Sequence, residues 1–427
     1  MQCAQKWEFV ENNFSKKYIK MSSFPIEKIR ADFPILKQKV NGKQLVYFDN
    51  GATTQKPDIV ISTIADFYRT TNSNVHRGVH YFSNKSTELY EEARETVRKF
   101  INARTSKEII FTKGTTEGLN LIASSFGQNL KSGDEIILTE MEHHSNIVPW
   151  HFLRQTKGVV LKFVPITDDY QLDFEAYKKL FSEKTKLVSM LYVSNSLGTI
   201  NPIEKYIDYA HSKGIPIVID AAQSIQHIKT DVQKLDIDFL AFSGHKMYAE
   251  TGIGVVYGKQ ELLEKLPPYQ GGGDMIEDVW VDKVTYAELP LKFEAGTANY
   301  AGAISLKAAI DYIQQIGLEN ISEYEKMLTN YAIEKLSEID GIKVYATSES
   351  NKTSAISFNV EGLHHYDVGT LLDQMGVAVR TGGHCTHPLM KKLNITGTVR
   401  SSLSFYNTIE EIDYFVEALK KVIKILK

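Results

Sequence analysis

The residues able to do chemistry in this chain collect where short apolar runs end. Glu108–Phe111 leads to Gly114, Thr115, Thr116 and Glu117, and Glu135–Leu138 leads to Glu142, His143 and His144. Lys186–Val193 leads to Asn195, Ile215–Asp220 closes on a carboxylate with Gln223 just beyond, and Phe239–Ser243 leads to His245 and Lys246. Glycine and hydroxyl side chains at a helix start leave backbone N–H groups free for a phosphate. Taken singly, each feature has an ordinary reading. Gly-Thr-Thr before a helix serves as a plain cap, a His-His pair in a loop is solvated, and an aspartate closing a strand caps the next helix.

In combination they are more specific. A lysine at one strand end and an aspartate at the preceding strand end are what pyridoxal phosphate requires. The lysine condenses with the aldehyde, and the carboxylate keeps the pyridinium nitrogen protonated so that the ring withdraws electrons. An imidazole to stack on the ring and a phosphate cradle complete such a site.

The elements that must position these groups are βα units. The apolar runs, with Val159–Val164 among them, alternate with helical segments such as Pro202–Lys213, a pattern that predicts a mainly parallel sheet covered on both faces. Ligands in such sheets sit at the carboxyl ends of the strands. Ahead of the sheet, Asn84–Ala103 predicts an amphipathic helix with Leu89, Ala93, Val97, Phe100 and Ile101 on one stripe. Pro267, Pro268 and Gly271–Gly273 mark a loop region. Helices follow over Gly302–Ile316 and Ile321–Ile339, then strands Lys343–Tyr345 and Ala355–Asn359, helix Tyr366–Met375, strands Ala378–Thr381 and Val399–Phe405, and a last helix from Thr408.

Composition narrows the partners. The 427 residues carry 49 Lys+Arg against 52 Asp+Glu, a net of −3, so the basic excess of a nucleic-acid binder is missing. No run of apolar residues reaches membrane-spanning length, and the first 20 residues lack a secretory core. Cys3 and Cys385 are the only cysteines, too few for a disulfide scaffold or a Cys-rich metal site, which fits the cytoplasm. A single internal cysteine is ordinarily a small core residue. Cys385 instead lies in Gly382-Gly383-His384-Cys385-Thr386-His387-Pro388, a polar loop whose imidazoles favour a thiolate.

From about Phe33 to the C-terminus the chain resembles the fold-type I pyridoxal phosphate enzymes, and among them the Suf-type (SufS-like) cysteine desulfurases of the class V aminotransferase family. The likeness is carried by Tyr47-Phe48-Asp49-Asn50-Gly51-Ala52, Val75-His76-Arg77-Gly78, Gly114-Thr115-Thr116-Glu117-Gly118, Met141-Glu142-His143-His144-Ser145-Asn146, Asp220-Ala221-Ala222-Gln223, Ser243-Gly244-His245-Lys246, Phe293-Glu294-Ala295-Gly296-Thr297 and Arg380-Thr381-Gly382-Gly383-His384-Cys385, in order. The resemblance implies an α/β fold with a mainly parallel seven-stranded sheet in a large domain over 23–300, to whose neighbour the N-terminal segment contributes. That neighbour is a smaller α+β domain over 301–427, and residues 1–22 form a disordered extension.

It also implies the roles. Lys246 holds the cofactor, Asp220 pairs with its ring nitrogen, Gln223 bonds its phenolic oxygen, and His143 stacks on the ring and shuttles a proton. Thr115, Thr116, Ser243 and His245 bind the phosphate, joined by Thr297 from the second subunit of a homodimer. Asn195 and Arg400 hold the substrate carboxylate, and no metal takes part. L-Cysteine becomes L-alanine while Cys385 takes the sulfur as a persulfide, for iron–sulfur cluster assembly or other sulfur transfer, with selenocysteine a second substrate. The rival readings are a selenocysteine lyase or sulfide-releasing cysteine lyase of the same fold, and a non-catalytic pyridoxal phosphate-binding scaffold.

Two places depart from the family pattern. Gly383 stands where a second histidine often precedes His-Cys, and Ala249-Glu250 stands where Gly-Pro is common. Tyr366, where enzymes serving a SufU-like acceptor tend to carry histidine, favours a SufE-like acceptor.

Overall fold

The computed structural model describes residues 24–346 and 352–427. Cys3 and the extension expected over 1–22 lie outside them. The six apolar runs become β1 (Ile109–Thr112), β2 (Glu135–Thr139), β3 (Val160–Val164), β4 (Thr185–Leu191), β5 (Ile217–Asp220) and β6 (Phe239–Ser243). Every residue of β1, β5 and β6 is buried, which is why they read as continuous apolar runs rather than alternating ones. A seventh strand, β7 (Gly254–Gly258), was not marked out by the sequence pattern, because its three apolar residues are bracketed by glycines. It runs antiparallel between β6 and β1, giving the order β1-β7-β6-β5-β4-β2-β3, and from β6 to β3 all neighbours are parallel.

The longer helices include α1 (Asp58–Thr70), α2 (Tyr81–Phe100), α3 (Thr115–Gly127) and α4 (Tyr300–Ile316), and, toward the C-terminus, α5 (Leu318–Ser337), α6 (His365–Gln374) and α7 (Ile409–Leu426). The amphipathic helix expected over Asn84–Ala103 is α2, displaced toward the N-terminus. The His80 ring accepts from the Ser83 N–H and caps it early, and Asn102 turns left-handed just past its end. Helix α4 packs against α1 and α2, so the segment after residue 300 begins on the N-terminal helices. One apolar cluster runs from Val188 and Leu240 through Leu306 and Ile310 to Phe358 and Leu419.

Past α5 the chain builds a small antiparallel sheet from β8 (Ile342–Tyr345), β9 (Ala355–Val360), β10 (Arg380–Gly382) and β11 (Thr398–Ser402), ordered β8-β9-β11-β10. The single strand expected over Ala378–Thr381 is split at Val379. Val377–Ala378 pairs in parallel with Val46–Tyr47, and β10 pairs with β11. The switch sets Arg380 directly opposite Arg400.

One close approach fixes the β1–α3 turn. A Cβ on Gly254 would lie 2.4 Å from Gly114 Cα and 2.7 Å from the Phe242 carbonyl oxygen, both backbone atoms that cannot swing aside. Gly254→Ala is therefore expected to destabilise the protein by about 1–3 kcal/mol. Gly271→Ala, with nothing within 4 Å, should change stability by less than about 0.5 kcal/mol. Urea denaturation of both variants beside the parent protein checks this, and equal midpoints would overturn it.

Candidate active site

The carboxyl ends of β1, β2, β4, β5 and β6 face one cavity, and the small sheet closes its far side. Its lining includes Thr115, Thr116, His143, Asn195, Asp220, Gln223, Ser243, His245, Lys246, Cys385 and Arg400, so all but one of the residues expected to have a role in the site come together, while Glu117, Glu142 and His144 do not line it. The exception is Thr297, which is exposed and lines a separate depression with Tyr90, Phe111 and Glu294.

At one end of the cavity, Gly114 (φ +150°) caps α3 without a side chain of its own. The Ser243 Oγ accepts from the Thr115 N–H at 2.8 Å and pairs with the Thr115 hydroxyl at 2.8 Å. Hydroxyls and free helix-terminal N–H groups thus crowd around one point, which is the chemistry of an anion cradle.

Asp220 closes β5. Its Oδ1 accepts from the Ala222 N–H at 2.9 Å, and among the described residues its carboxylate has no ion-pair partner. Burial pushes its pKa up, opposed by that N–H and by Lys246. Glu142 lies deeper and was not assigned a role by the sequence. It accepts from the Thr139 hydroxyl (2.6 Å), the Leu191 N–H (3.0 Å) and the Asn146 amide (2.6 Å), tying the β2 end to β4. Burial drives its pKa to about 8, with the Asp220 charge adding to the rise. Next to it, His143 is held neutral, its pKa pushed down to about 3 by burial and by the positive charge of Lys246. Its Nδ1 accepts from the Ser145 N–H at 3.2 Å, which leaves the ring proton on Nε2.

Lys246 ends a short turn after β6. The carbonyl just before it, on His245, receives hydrogen bonds from the Thr54 N–H (3.1 Å), the Thr53 hydroxyl (3.0 Å) and the Lys56 ammonium (3.0 Å), so the turn is fastened from the N-terminal segment. Burial lowers the Lys246 pKa to about 8. Asp220 works against the fall, and Arg400 and Arg380 add to it.

Arg400 on β11 is fully buried. Its Nη1 donates to the Asn195 carbonyl at 2.8 Å and its Nη2 to Asp49 at 3.1 Å, while Nε has no partner. Arg380 also reaches Asp49, at 3.6 Å. The Asn195 amide nitrogen donates to the His384 carbonyl at 2.8 Å, and the Gln223 amide donates to the Gly51 carbonyl at 2.6 Å. Cys385 is exposed at the rim. Arg380, Asp49 and His384 were not assigned roles from sequence, although all three stand inside motifs quoted above. Their signal was their adjacency to Cys385 and Gly51.

The departures have local explanations. Ala249 is buried in the core, and Glu250 accepts from the Asn299 amide at 3.0 Å, which caps α4. Those contacts bind the Lys246 turn to the segment that follows Thr297.

These groups fit pyridoxal phosphate. A buried carboxylate without a cation suits a pyridinium N–H, a neutral imidazole stands beside it, a depressed lysine suits an aldehyde, and the hydroxyl-lined helix terminus suits a phosphate. The unpartnered Arg400 Nε suits a carboxylate. Among the described residues no cluster of three metal-ligating side chains occurs, and no helix is long and apolar enough to cross a membrane.

Comparison with known proteins agrees. The aminotransferase class-V family model matches residues 46–415. A cysteine desulfurase of Serratia proteamaculans is 48% identical over 406 residues, 95% of this chain and 100% of that one. Among solved structures, the apo cysteine desulfurase of Thermococcus onnurineus superposes with a TM-score of 0.89 at 41% identity, covering 94% of this chain and 99% of that one. The Escherichia coli cysteine desulfurase CsdA, in an S-sulfonic acid form, gives 0.88 at 36% identity over 95% and 100%.

A lysine lowered to about 8 is neutral in growing fraction as pH rises through that value, whereas an ordinary lysine needs pH above about 10. Covalent capture of pyridoxal phosphate by the apoprotein should therefore accelerate with pH around a midpoint near 8. Asp220→Asn removes the charge that favours the ammonium and should move the midpoint lower. Stopped-flow absorbance across a pH series reads both, and a midpoint at 10 or an upward move in the variant would refute the assignment.

Proposed function

The chain belongs to the aminotransferase class-V family and is a pyridoxal phosphate-dependent cysteine desulfurase, and from that premise we propose how its own residues divide the reaction. When bound, the cofactor holds the amino acid through its aldehyde carbon and accepts the electron pair released at Cα. Asp220 would hold the ring nitrogen, Gln223 would bond the phenolic oxygen, and His143 would stack on the ring. Thr115, Thr116, Ser243 and His245 bind the phosphate.

Arg400 and Asn195 hold the carboxylate of L-cysteine, with Arg400 Nε among the donors. Lys246 Nζ takes the Cα proton, which its depressed pKa favours near neutral pH. His143 moves a proton through Nε2. Cys385 Sγ then attacks the substrate sulfur, an S–S bond forming as the Cβ–S bond breaks, and the three-carbon fragment leaves as L-alanine once Cβ is protonated and Lys246 returns a proton to Cα. The observation that carries this reading is an exposed thiol on the rim of the cavity that holds Lys246 and Arg400.

The phosphate site is completed by Thr297 of a second copy of the chain in a homodimer. Two facts support that. Thr297 is exposed and outside the cavity of its own protomer, and the nearby hairpin Ile276–Val279/Val284–Tyr286 exposes Val279, Trp280 and Val281. The persulfide passes to a SufE-like acceptor in the Suf-type manner, a reading supported by Tyr366, 63% exposed at the start of α6. Such a thiol chemistry suits the reducing cytoplasm, and selenocysteine, with its weaker C–Se bond, is a second substrate.

Incubation with L-cysteine should add one sulfur atom to Cys385, read by intact-mass and peptide analysis. Cys385→Ser should gain none and lose about two orders of magnitude or more of alanine production. Alanine turnover that survives the change in the presence of a thiol reductant would sink the persulfide route.

Arg400→Lys keeps the charge but loses the planar fork. Its KM for L-cysteine should rise by about 10-fold or more, with a smaller change in kcat. A change confined to kcat would argue against carboxylate binding.

A further inference from the structure

The Cys385 loop is held from its own inner side by one histidine. The His144 backbone N–H donates to the Cys385 carbonyl at 2.8 Å, and the His144 ring Nε2 accepts from the His387 backbone N–H at 3.2 Å. The His144 and His387 rings lie with their centroids 4.6 Å apart. Glycine at 383 leaves the His387 ring its room, since a Cβ there would lie 3.0 Å from His387 Cδ2 and 3.3 Å from Nε2, and the ring would have to shift by a few tenths of an ångström. Leading into the two grips, His384 and Cys385 both take left-handed φ values, +49° and +58°, which residues with a side chain disfavour. The turn that they form is closed locally by the Thr386 N–H (2.8 Å) and hydroxyl (3.0 Å), both donating to the Gly383 carbonyl. The flanks are pinned elsewhere, by the His384 ring on the Thr398 hydroxyl (2.8 Å) and the Thr386 hydroxyl on Ser196 (2.8 Å). His144 grips the chain twice just beyond the thiol, at the Cys385 carbonyl and at the His387 N–H, and so ties the loop to the β2 end.

We propose that His144 is the positioning residue of the nucleophile, its ring seated against the His387 ring, for which Gly383 leaves room, and holding the Cys385 thiol at the cavity rim. The purpose rests on Cys385 as the sulfur acceptor, while the latch itself does not. Accepting from His387 requires an unprotonated Nε2. Burial and the neighbouring His387 both push the His144 pKa down, in the direction that keeps it so.

Three variants of the full-length holoenzyme separate the latch from plain packing. His144→Phe keeps a ring against His387 but has no acceptor, His144→Gln keeps an acceptor near the Nε2 position, and His144→Ala keeps neither. Hydrogen–deuterium exchange of the 383–388 segment, measured without substrate, should speed up about tenfold or more in the Ala and Phe variants and stay within about twofold of the parent in the Gln variant. Persulfide formation in a single turnover should slow several-fold in Ala and Phe and recover in Gln. Unchanged cofactor absorbance controls for loading. Parent-like exchange in the Phe variant, or Ala-like exchange in the Gln variant, would overturn the proposal. Because exchange is read without L-cysteine, a failure of the latch is distinguishable from a failure of the sulfur chemistry.

Discussion

A fully buried guanidinium organises this protein. Arg400 reaches its place from the small sheet, but its partners come from elsewhere: the Asn195 carbonyl from beyond β4 and the Asp49 carboxylate from the N-terminal segment. A buried charge that loses a partner is costly, so the three segments have no cheap alternative to meeting there. Gly51 marks how closely they meet, because a Cβ would lie 3.1 Å from Arg400 Nη2. Burial pulls the Arg400 pKa down and Asp49 pulls it back. Asp49 has a second duty. The β10–β11 register sets Arg380 directly opposite Arg400, an unfavourable pairing of like charges, and both arginines reach the same carboxylate.

The same exclusion of water moves the buried histidines, carboxyls and lysine in and beneath the cavity toward their neutral forms. His143 and His384 fall to about 3, His245 to about 4 and Lys246 to about 8, whereas Asp220 and Glu142 rise. Lys246 gains most for chemistry, because a neutral amine is the reactive form. The local fold supplies the restraint that keeps these groups buried. Glu142 ties the His143 loop to β4, and the hydrogen-bonded His245 carbonyl fixes the Lys246 turn to Thr53, Thr54 and Lys56.

Much of this was legible in the sequence, because strand ends in a parallel sheet converge and the residues at those ends are chemically distinctive. Six strands of the central sheet followed from their apolar runs, and the family resemblance implied the seventh. What pattern reading missed has physical reasons. β7 is too short and too glycine-rich to stand out, yet Gly254 is what lets the Gly114 turn approach. The break at Val379 leaves no mark in hydropathy, since both halves are strand and only their partners differ. Asp49 and Arg380 are common surface types whose meaning depends on the Arg400 register. Glu142 adjoins a conspicuous histidine pair, and only burial shows that its carboxyl is a structural tie rather than a loop charge.

The division of groups between the two sheets constrains the chemistry that the site can perform. Lys246, Asp220 and His143 ride on the large sheet, where proton handling and ring binding need a rigid, dry floor. Arg400 and the loop bearing Cys385 both spring from the β10–β11 pair of the small sheet. In the proposed roles, the charged anchor of the substrate carboxylate, Arg400, and the acceptor of its sulfur therefore belong to one antiparallel ladder, with Asn195 reaching in from beyond β4. The distance between anchor and acceptor is then set by strand register, independently of how the small sheet sits on the large one. Register is a discrete quantity, fixed by Arg380 opposite Arg400 and Gly382 opposite Thr398. Only the last few residues, Gly383 to Cys385, are left for a local latch to position, and His144 takes hold of the chain where they end, at the Cys385 carbonyl.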